Sequence, residues 1–306
     1  MPLPNALIIG AQKSGSSWLA KNLSQHPDVF MPDSEIHFFN LESNYKKGLP
    51  WYQAQFEQAY QEKIVAEKTP NYLWITPHKV KSRFGNHLPA VQKRLHDTLP
   101  EAKLIVVLRN PVERAISAVN HYRTRGQISP FTDIDRLLDC QNPGADTFGV
   151  FGMGRYYQHL KAYYDCYEQD RILVINFEEE IAAHPEISLR KVCNFLDIDR
   201  SYPFENRDKR QNSFDFVRTG TALAHHWLPK QRLIHRTVAK LPAKIIGARV
   251  AKRRPSDRIL QALYRYYQAD NQQLFTLLGR RFESWGKMEI ASNRISDSII
   301  PNASMH

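Results

Sequence analysis

The sequence predicts an α/β fold in which a central parallel β-sheet is flanked by helices. Four short apolar runs, each bounded by polar or turn residues, have the pattern of strands covered on both faces; they span residues 6–9, 63–66, 103–108 and 171–176. Helical patterns lie between and after these runs, over residues 16–25, 51–60, 88–99, 111–123, 155–168 and 185–196. Strands that alternate with helices favour a parallel sheet with right-handed crossovers, and ligands of such sheets bind beyond the carboxyl ends of the strands.

The composition is that of an ordinary globular protein, with 42% hydrophobic and 24% charged residues in 306. We expect one domain over residues 1–285 and a polar tail over residues 286–306. The three cysteines match neither a CxxC pair nor a zinc spacing, so we expect reduced thiols and no metal. The first residues lack the pattern of a secretory signal and the apolar runs are too short to span a bilayer, so we expect a cytoplasmic protein.

Positive charge is concentrated in the last third of the chain. Residues 229–254 contain nine Lys and Arg and no acidic residue, and removing these nine charges from the formal net charge of +11 leaves +2. This basic segment indicates an anionic partner, and its interspersed apolar residues also fit an amphipathic helix at a membrane surface. We expect two short helices here, broken at Pro242, and then a long amphipathic helix over residues 257–279. A solvated face, a docking lid for an anionic acceptor and peripheral membrane contact all remain open.

A loop rich in glycine and serine follows the first predicted strand. Its small residues allow a sharp turn whose N–H groups can converge on phosphate oxygens, and Lys13 adds a full positive charge. The next helix begins at Ser16 and Ser17, and a helix N-terminus favours an anion. In a Walker A loop the lysine follows the last glycine, whereas here Lys13 precedes Gly15. The loop is therefore P-loop-like and suits an anion held without a metal.

A second anion site is predicted at the end of the third strand. Arg109 follows that strand, Pro111 occupies a favoured first helical position, and Ser117 lies two turns into the helix. A guanidinium and a hydroxyl that converge there make a phosphate clamp, although Arg109 could equally belong to a structural ion pair. Two anion sites at neighbouring strand ends indicate a nucleotide that is phosphorylated at two separate positions.

These motifs resemble those of sulfotransferases that use 3′-phosphoadenosine-5′-phosphosulfate (PAPS). The sequence K-S-G-S-S-W at residues 13–18 resembles their 5′-phosphosulfate loop, and R-N-P-V-E-R-A-I-S at residues 109–117 resembles their 3′-phosphate motif. The segments S-E-I-H-F-F at residues 34–39 and E-K-T-P-N-Y at residues 67–72 are similar to those of the Golgi-type carbohydrate branch, which includes heparan sulfate enzymes, and its bacterial relatives. The disulfide and the Lys-Gly-Arg loop of the glycosaminoglycan enzymes are not found here.

The resemblance implies which residues bind the nucleotide. Lys13 would neutralise charge on the leaving group, Arg109 and Ser117 would hold the 3′-phosphate, and Tyr156 would touch the nucleotide. Residues 200–255 would form a nucleotide-covering and acceptor-side region. The 5′-phosphate loop would use Ser14, Gly15, Ser16, Ser17 and Trp18, and the covering region would use Arg210, Asn212 and Arg218.

The resemblance also implies an acceptor site. Glu35 is the predicted general base, which would take the proton of an acceptor hydroxyl or amine with a pKa raised by a pocket of Phe38 and Phe39. His37 is the second candidate base. The alternative for Glu35 is an acid of a surface loop, and the alternative for His37 is a packed or orienting histidine. Lys68 and Phe38 are predicted to contact the acceptor.

The sequence thus predicts a sulfotransferase that moves a sulfuryl group from PAPS to an acceptor, with a saccharide or glycolipid favoured, and that releases adenosine 3′,5′-bisphosphate without a metal. One alternative is a P-loop-class phosphotransferase, which the absent Walker lysine disfavours. Another is a nucleic-acid or membrane-surface binding protein that uses residues 229–254. That alternative leaves the two phosphate motifs unexplained, so we expect no specific nucleic-acid partner.

Overall fold

The computed structural model describes residues 2–76, 78–82, 85–125, 127–129, 131–142, 146, 149–205, 216–218, 249–251 and 253–286. The chain divides into two compact units. The first unit comprises residues 1–111, 155–211 and 269–284, and the second comprises residues 112–154, 212–268 and 285–306. None of the helices in the described ranges combines the length and the apolarity that crossing a bilayer requires.

The elements follow the alternating order that the sequence predicts. The strands are β1 (Ala6–Gly10), β2 (Val29–Phe30), β3 (Ile64–Lys68), β4 (Val80–Ser82), β5 (Gly85–His87), β6 (Lys103–Leu108), β7 (Ile172–Asn176), β8 (Phe216–Arg218) and β9 (Arg249–Ala251). The α-helices are α1 (Ser16–Leu23), α2 (Glu42–Tyr45), α3 (Gly48–Ala54), α4 (Val91–Thr98), α5 (Pro111–Thr124), α6 (Ile134–Leu137), α7 (Tyr156–Tyr164), α8 (Pro185–Leu196) and α9 (Asp257–Leu278), and Phe177–Ala182 is a π-helical segment.

A five-stranded parallel sheet forms the centre of the first unit. Its strand order is β2-β3-β1-β6-β7, and every neighbouring pair is parallel. All five residues of β1 and the last five of β6 are buried, as expected for strands covered on both faces. The parallel arrangement brings the carboxyl ends of β3, β1, β6 and β7 to one edge of the sheet, where the site lies.

The four predicted strands and the central parallel sheet are confirmed. The helix predicted over residues 51–60 is displaced, since α3 covers Gly48–Ala54. Pro50 lies in its first turn, where a backbone N–H has no intrahelical partner and proline is therefore tolerated. The edge strand β2 and the antiparallel hairpin of β4 and β5 were not predicted, because two- and three-residue strands are too short to show a period.

Apolar side chains of α1 and α8 cover one face of the sheet. Trp18, Leu19 and Leu23 of α1 are buried together with Leu189 and Val192 of α8. Burial of each such side chain contributes about 1.5–3 kcal/mol. This packing fixes where α1 begins, and therefore where the loop after β1 must turn.

The second unit has a separate core built from α5 and the first half of α9. Val119 of α5 and Leu263 and Tyr267 of α9 are buried in it. The long C-terminal helix predicted over residues 257–279 is confirmed as α9. Two short helices broken at Pro242 were predicted in the basic segment; at Arg249–Ala251 the segment is instead a strand, which pairs with Phe216–Arg218 in an antiparallel hairpin. Residues 219–248 and the tail over residues 287–306 lie outside the described residues.

Candidate functional site

The loop between β1 and α1 turns through left-handed backbone. Lys13 has φ 68° and Gly15 has φ 100°, a region that glycine adopts readily. A Cβ at Gly15 would lie 2.8 Å from the Phe177 ring, so glycine is also required for space. Among the residues that the structure describes, none gives α1 a side-chain cap at Gly15. The first N–H groups of α1 are therefore suited to an anion.

Ser14 and Trp18, which were both predicted to bind the nucleotide, differ in what their side chains contact. The Ser14 hydroxyl is fully buried and has no hydrogen-bond partner among the described residues, which costs about 1–3 kcal/mol unless a ligand completes the loop. This orphaned hydroxyl fits a loop that closes on a phosphate. The Trp18 side chain packs in the core, so we expect it to contribute only its backbone N–H.

Arg109 joins three neighbouring strand ends. Its Nη1 donates to the Lys13 carbonyl at 3.3 Å, and its Nε lies 3.9 Å from Oε1 of Glu178, just after β7. The guanidinium also lies over the Phe177 ring, 5.2 Å from the centroid. Glu178 in turn accepts the Asn110 N–H at 3.0 Å. The structure thus brings Arg109 to the Lys13 loop, and it also gives Arg109 the ion-pair partner that the alternative interpretation requires.

Tyr156 hydrogen-bonds to the backbone of Arg109. Its hydroxyl donates to the Arg109 carbonyl at 2.9 Å, and its side chain is 0% exposed. That Tyr156 touches the nucleotide stays a prediction; in the structure its hydroxyl is used by the Arg109 backbone. Tyr156 holds the backbone that carries the guanidinium.

Glu35 lies between the side chains of Lys68 and His37. Its Oε1 is 2.8 Å from Nζ of Lys68, and its Oε2 is 3.2 Å from Nε2 of His37. The Glu35 side chain is 34% exposed, so it can reach a ligand. The same Lys68 ammonium lies 3.4 Å from the Ser17 hydroxyl at the start of α1. Lys68 therefore connects the predicted base to the phosphate loop.

The acidity of Glu35 differs from the expectation. Partial burial favours the neutral acid, but the hydrogen bond from His37 and the charge and hydrogen bond of Lys68 outweigh it and lower the pKa of Glu35 to about 2. The predicted raised pKa is wrong, because the sequence does not show that Lys68 and His37 flank the carboxylate and donate hydrogen bonds to it.

Buried polar groups hold the backbone around Glu35. The His37 N–H donates to the Thr69 hydroxyl at 3.3 Å, and the Phe38 N–H donates to the Tyr72 hydroxyl at 2.9 Å. Thr69 donates in turn to Glu67, whose pKa is raised by burial. Glu67 therefore has a structural role, because it anchors the hydroxyl that holds the His37 backbone.

Phe38 does not line the acceptor site. Its side chain is 3% exposed and stacks on Tyr52, with ring centroids 4.5 Å apart. It also meets Phe39 edge to face. The structure corrects the prediction that Phe38 contacts the acceptor, because the aromatic cluster encloses it.

The remaining predicted residues lie in the second unit or outside the described residues. Ser117 is a partly buried residue of α5 in the second unit, and its pairing with Arg109 stays a prediction. Arg210 and Asn212 lie outside the described residues. Arg218 belongs to β8, and its backbone alone is described. Across the described ranges, no three His, Cys, Asp or Glu side chains are grouped so that they could hold a metal ion.

Sequence comparison finds similar proteins among heparan sulfate enzymes. Heparan sulfate glucosamine 3-O-sulfotransferase 6 of Homo sapiens is 32% identical over 200 residues, which cover 64% of this chain and 53% of that protein. Bifunctional heparan sulfate N-deacetylase/N-sulfotransferase 1 of Caenorhabditis elegans is 29% identical over 213 residues, which cover 66% of this chain and 23% of that protein. The chain spans about half the length of the first of these relatives, and less of the second.

Structural comparison agrees on the fold. A crystal structure of a sulfotransferase from Alicyclobacillus acidocaldarius superposes with a TM-score of 0.65 at 22% identity, covering 93% of this chain and 99% of that one. The model of the sulfotransferase domain matches residues 3–273, which include the loop after β1, the Glu35 segment and Arg109. The chain therefore belongs to the sulfotransferase family.

Proposed function

We propose that this protein transfers a sulfuryl group from PAPS to a hydroxyl or amine of a saccharide acceptor. Family membership supports the reaction class, and the similarity to heparan sulfate sulfotransferases supports a saccharide over other acceptors. The observation that carries the proposal is the position of Lys68, whose ammonium contacts both Glu35 and Ser17. A base for the acceptor and a cradle for an anion are thereby placed side by side.

The residues of the phosphate loop stabilise charge on the donor side. Lys13, the first N–H groups of α1 and the Ser14 hydroxyl are suited to the 5′-phosphate, and Arg109 is suited to the 3′-phosphate. Bound PAPS supplies the sulfuryl group and a phosphate leaving group. Positive charge at Lys13 stabilises the electron pair that the leaving group carries away.

Glu35 and His37 act on the acceptor side. In the transfer, the acceptor hydroxyl loses its proton to Glu35, its oxygen forms a bond to sulfur, and the bond from sulfur to the 5′-phosphate oxygen breaks. With a pKa of about 2, Glu35 is ionised and ready to accept a hydrogen bond, but it is a weak base. When Lys68 turns toward the sulfuryl group, Glu35 loses a cationic partner and becomes more basic.

The proposal is tested with the full chain, radiolabelled PAPS and heparan-type glucosamine oligosaccharides. Lys13→Ala and Glu35→Gln should each lower the rate of transfer by roughly 10²–10⁴-fold, the usual contribution of a positioned base or charge. Glu35→Gln should leave the affinity for adenosine 3′,5′-bisphosphate unchanged in calorimetry. Arg190→Ala, which removes an exposed ion pair with Glu186 on α8, is the control and should behave as wild type. Parallel loss of nucleotide binding in Glu35→Gln removes the base assignment.

The basic segment is kept as a proposed contact for an anionic acceptor or a membrane surface. Its support is the concentration of charge at residues 229–254, since the structure describes only residues 249–251, 253 and 254 of it. If the acceptor is anionic, the KM for it should rise steeply with added salt while the KM for PAPS changes less. A salt-independent acceptor KM would favour the solvated-face interpretation.

A further inference from the structure

A chain of hydrogen bonds connects the buried His87, through Asn40, to His37 beside Glu35. Nε2 of His87 lies 3.0 Å from the carbonyl oxygen of Trp74. A carbonyl oxygen can only accept, so Nε2 of His87 must carry a proton. His87 is 2% exposed, and burial together with the charge of Arg94 outweighs the Trp74 hydrogen bond and lowers its pKa to about 4. At neutral pH its Nδ1 is therefore an acceptor.

The side-chain amide of Asn40 hydrogen-bonds to both His87 and His37. Its Nδ2 lies 3.3 Å from Nδ1 of His87, and only the amide N–H₂ can donate to that nitrogen. The amide oxygen is thereby turned to the other side, where it lies 3.2 Å from Nδ1 of His37. Asn40 is 1% exposed, so both ends of the amide are shielded from bulk solvent. The orientation of Asn40 follows from the Trp74 carbonyl.

The last hydrogen bond of this chain joins the Asn40 oxygen to His37. Because the Asn40 oxygen can only accept, Nδ1 of His37 must carry a proton. The other ring nitrogen, Nε2, lies 3.2 Å from Oε2 of Glu35. With Nδ1–H donated to Asn40, Nε2 is the nitrogen that faces Glu35. Because an ionised carboxylate can only accept, the hydrogen bond to Glu35 requires a second proton on Nε2.

We propose that Asn40 and His87 are positioning residues that fix the proton of His37 on Nδ1 and so dedicate its Nε2 to Glu35. The inference rests on the proposed function, in which Glu35 accepts the proton of the acceptor. If His37 were protonated on Nε2 alone, its bare Nδ1 would face the Asn40 oxygen, and the repulsion between these two acceptors would turn the ring away from Glu35. Asn40 and His87 prevent this loss of geometry.

Other charged groups also face this chain of bonds. Lys68 contacts Glu35 from β3, and the buried Glu67 interacts electrostatically with His37. Arg94 of α4 acts on His87, and its guanidinium donates to the Phe39 carbonyl at 2.9 Å. Burial and the charge of Arg94 lower the pKa of His87. The direction of the hydrogen bonds is set by the Trp74 carbonyl, which does not titrate.

The first test compares Asn40→Leu and His87→Phe with wild type. Each should lower kcat about 10- to 100-fold, as loss of an orienting partner does elsewhere, while the affinity for adenosine 3′,5′-bisphosphate is unchanged. Asn40→Asp keeps an oxygen that accepts from Nδ1 of His37, so it should retain more activity than Asn40→Leu. The matched control is His26→Phe, which removes a buried histidine bonded to the Asp199 carbonyl and the Asp28 N–H, in no described contact with Glu35.

The second test reads the proton of His37 directly and does not depend on activity. Nitrogen-15 shifts of the His37 ring should show a protonated Nδ1 at neutral pH in wild type and in His26→Phe. In folded Asn40→Leu, Nδ1 of His37 has lost its acceptor, so the preference for a protonated Nδ1 should disappear. Unchanged His37 shifts in Asn40→Leu, or a wild-type His37 protonated on Nε2 alone, overturn the proposal. If wild type transfers no sulfuryl group, the proposed function fails, while the nitrogen shifts still decide the role of Asn40.

Discussion

Lys68 shows how one side chain can serve two parts of a site. Its ammonium lies 2.8 Å from Glu35 and 3.4 Å from the Ser17 hydroxyl, and the side chain is largely buried. In this position it suppresses the basicity of Glu35 and stands beside the start of α1. A cation shared in this way couples the state of the base to the arrival of an anion.

At the level of single residues, we predict that Lys68→Met raises the pKa of Glu35. The carboxylate loses a charge partner and a hydrogen bond, so its pKa should rise from about 2 by roughly 1–2 pH units. The measurement is carbon-13 NMR of the Glu35 carboxyl group during an acid titration. Because the folded-state pKa lies below the ordinary value, the pairing stabilises the fold above pH 4.5 and is lost as pH falls toward 2, and Lys68→Met should weaken this dependence.

A matched control separates this effect from a general loss of positive charge. Lys79 pairs with Glu42, whose pKa is also lowered to about 2, by hydrogen bonds from Asn86, Lys79 and Lys46. Lys79→Met should raise the pKa of Glu42 and leave that of Glu35 alone. If both lysine variants change Glu35 equally, the direct contact with Lys68 is not the cause.

The residues of the site differ in how far sequence can find them. Lys13 and Arg109 were predicted because each follows a strand, and Glu35 and Lys68 because their segments resemble those of PAPS-dependent sulfotransferases. Asn40 and His87 were not, because they meet only through folding, at a separation of 47 residues. The lowered pKa of Glu35 was missed for the same reason, since it depends on where Lys68 and His37 point.

At the level of elements, the loop between β1 and α1 depends on the segment that follows β7. Gly15 has φ 100°, and Phe177 fills the space where a side chain would begin. Phe177 also lies beneath the guanidinium of Arg109. Strand β7 was predicted correctly, but the π-helical segment Phe177–Ala182 was not, because no periodic pattern distinguishes it from a loop.

We predict that Gly15→Ala is destabilising and weakens nucleotide binding. The strained backbone and the contact with Phe177 should together cost about 2–4 kcal/mol in the free energy of unfolding. Gly279→Ala is the control, because Gly279 also has positive φ, at 60°, but a Cβ there meets nothing within 4 Å. That variant should lose only about 1 kcal/mol and bind nucleotide normally. Urea unfolding and calorimetry measure both, and equal losses in the two variants would contradict a role for Phe177.

At the level of the whole molecule, a ligand that binds only the folded chain must raise its stability. At 100 times its Kd, adenosine 3′,5′-bisphosphate should add about 2.7 kcal/mol to the free energy of unfolding and raise the thermal midpoint by several degrees. Adenosine 5′-monophosphate lacks the 3′-phosphate, so at the same concentration it should raise the midpoint less. The gap between the two nucleotides isolates the contribution of the 3′-phosphate.

We predict that Arg109→Ala abolishes this gap, because we propose that its guanidinium holds the 3′-phosphate, whereas Arg190→Ala preserves the gap. Thermal unfolding with and without a magnesium chelator completes the measurement. The gap should be indifferent to the chelator, since Lys13, Arg109 and the start of α1 supply the positive charge. A larger stabilisation by ATP that disappears with the chelator would indicate a magnesium-dependent phosphotransferase. A gap that survives in Arg109→Ala would place the 3′-phosphate elsewhere, and the strand ends of β1 and β6 would then bind one phosphate rather than two.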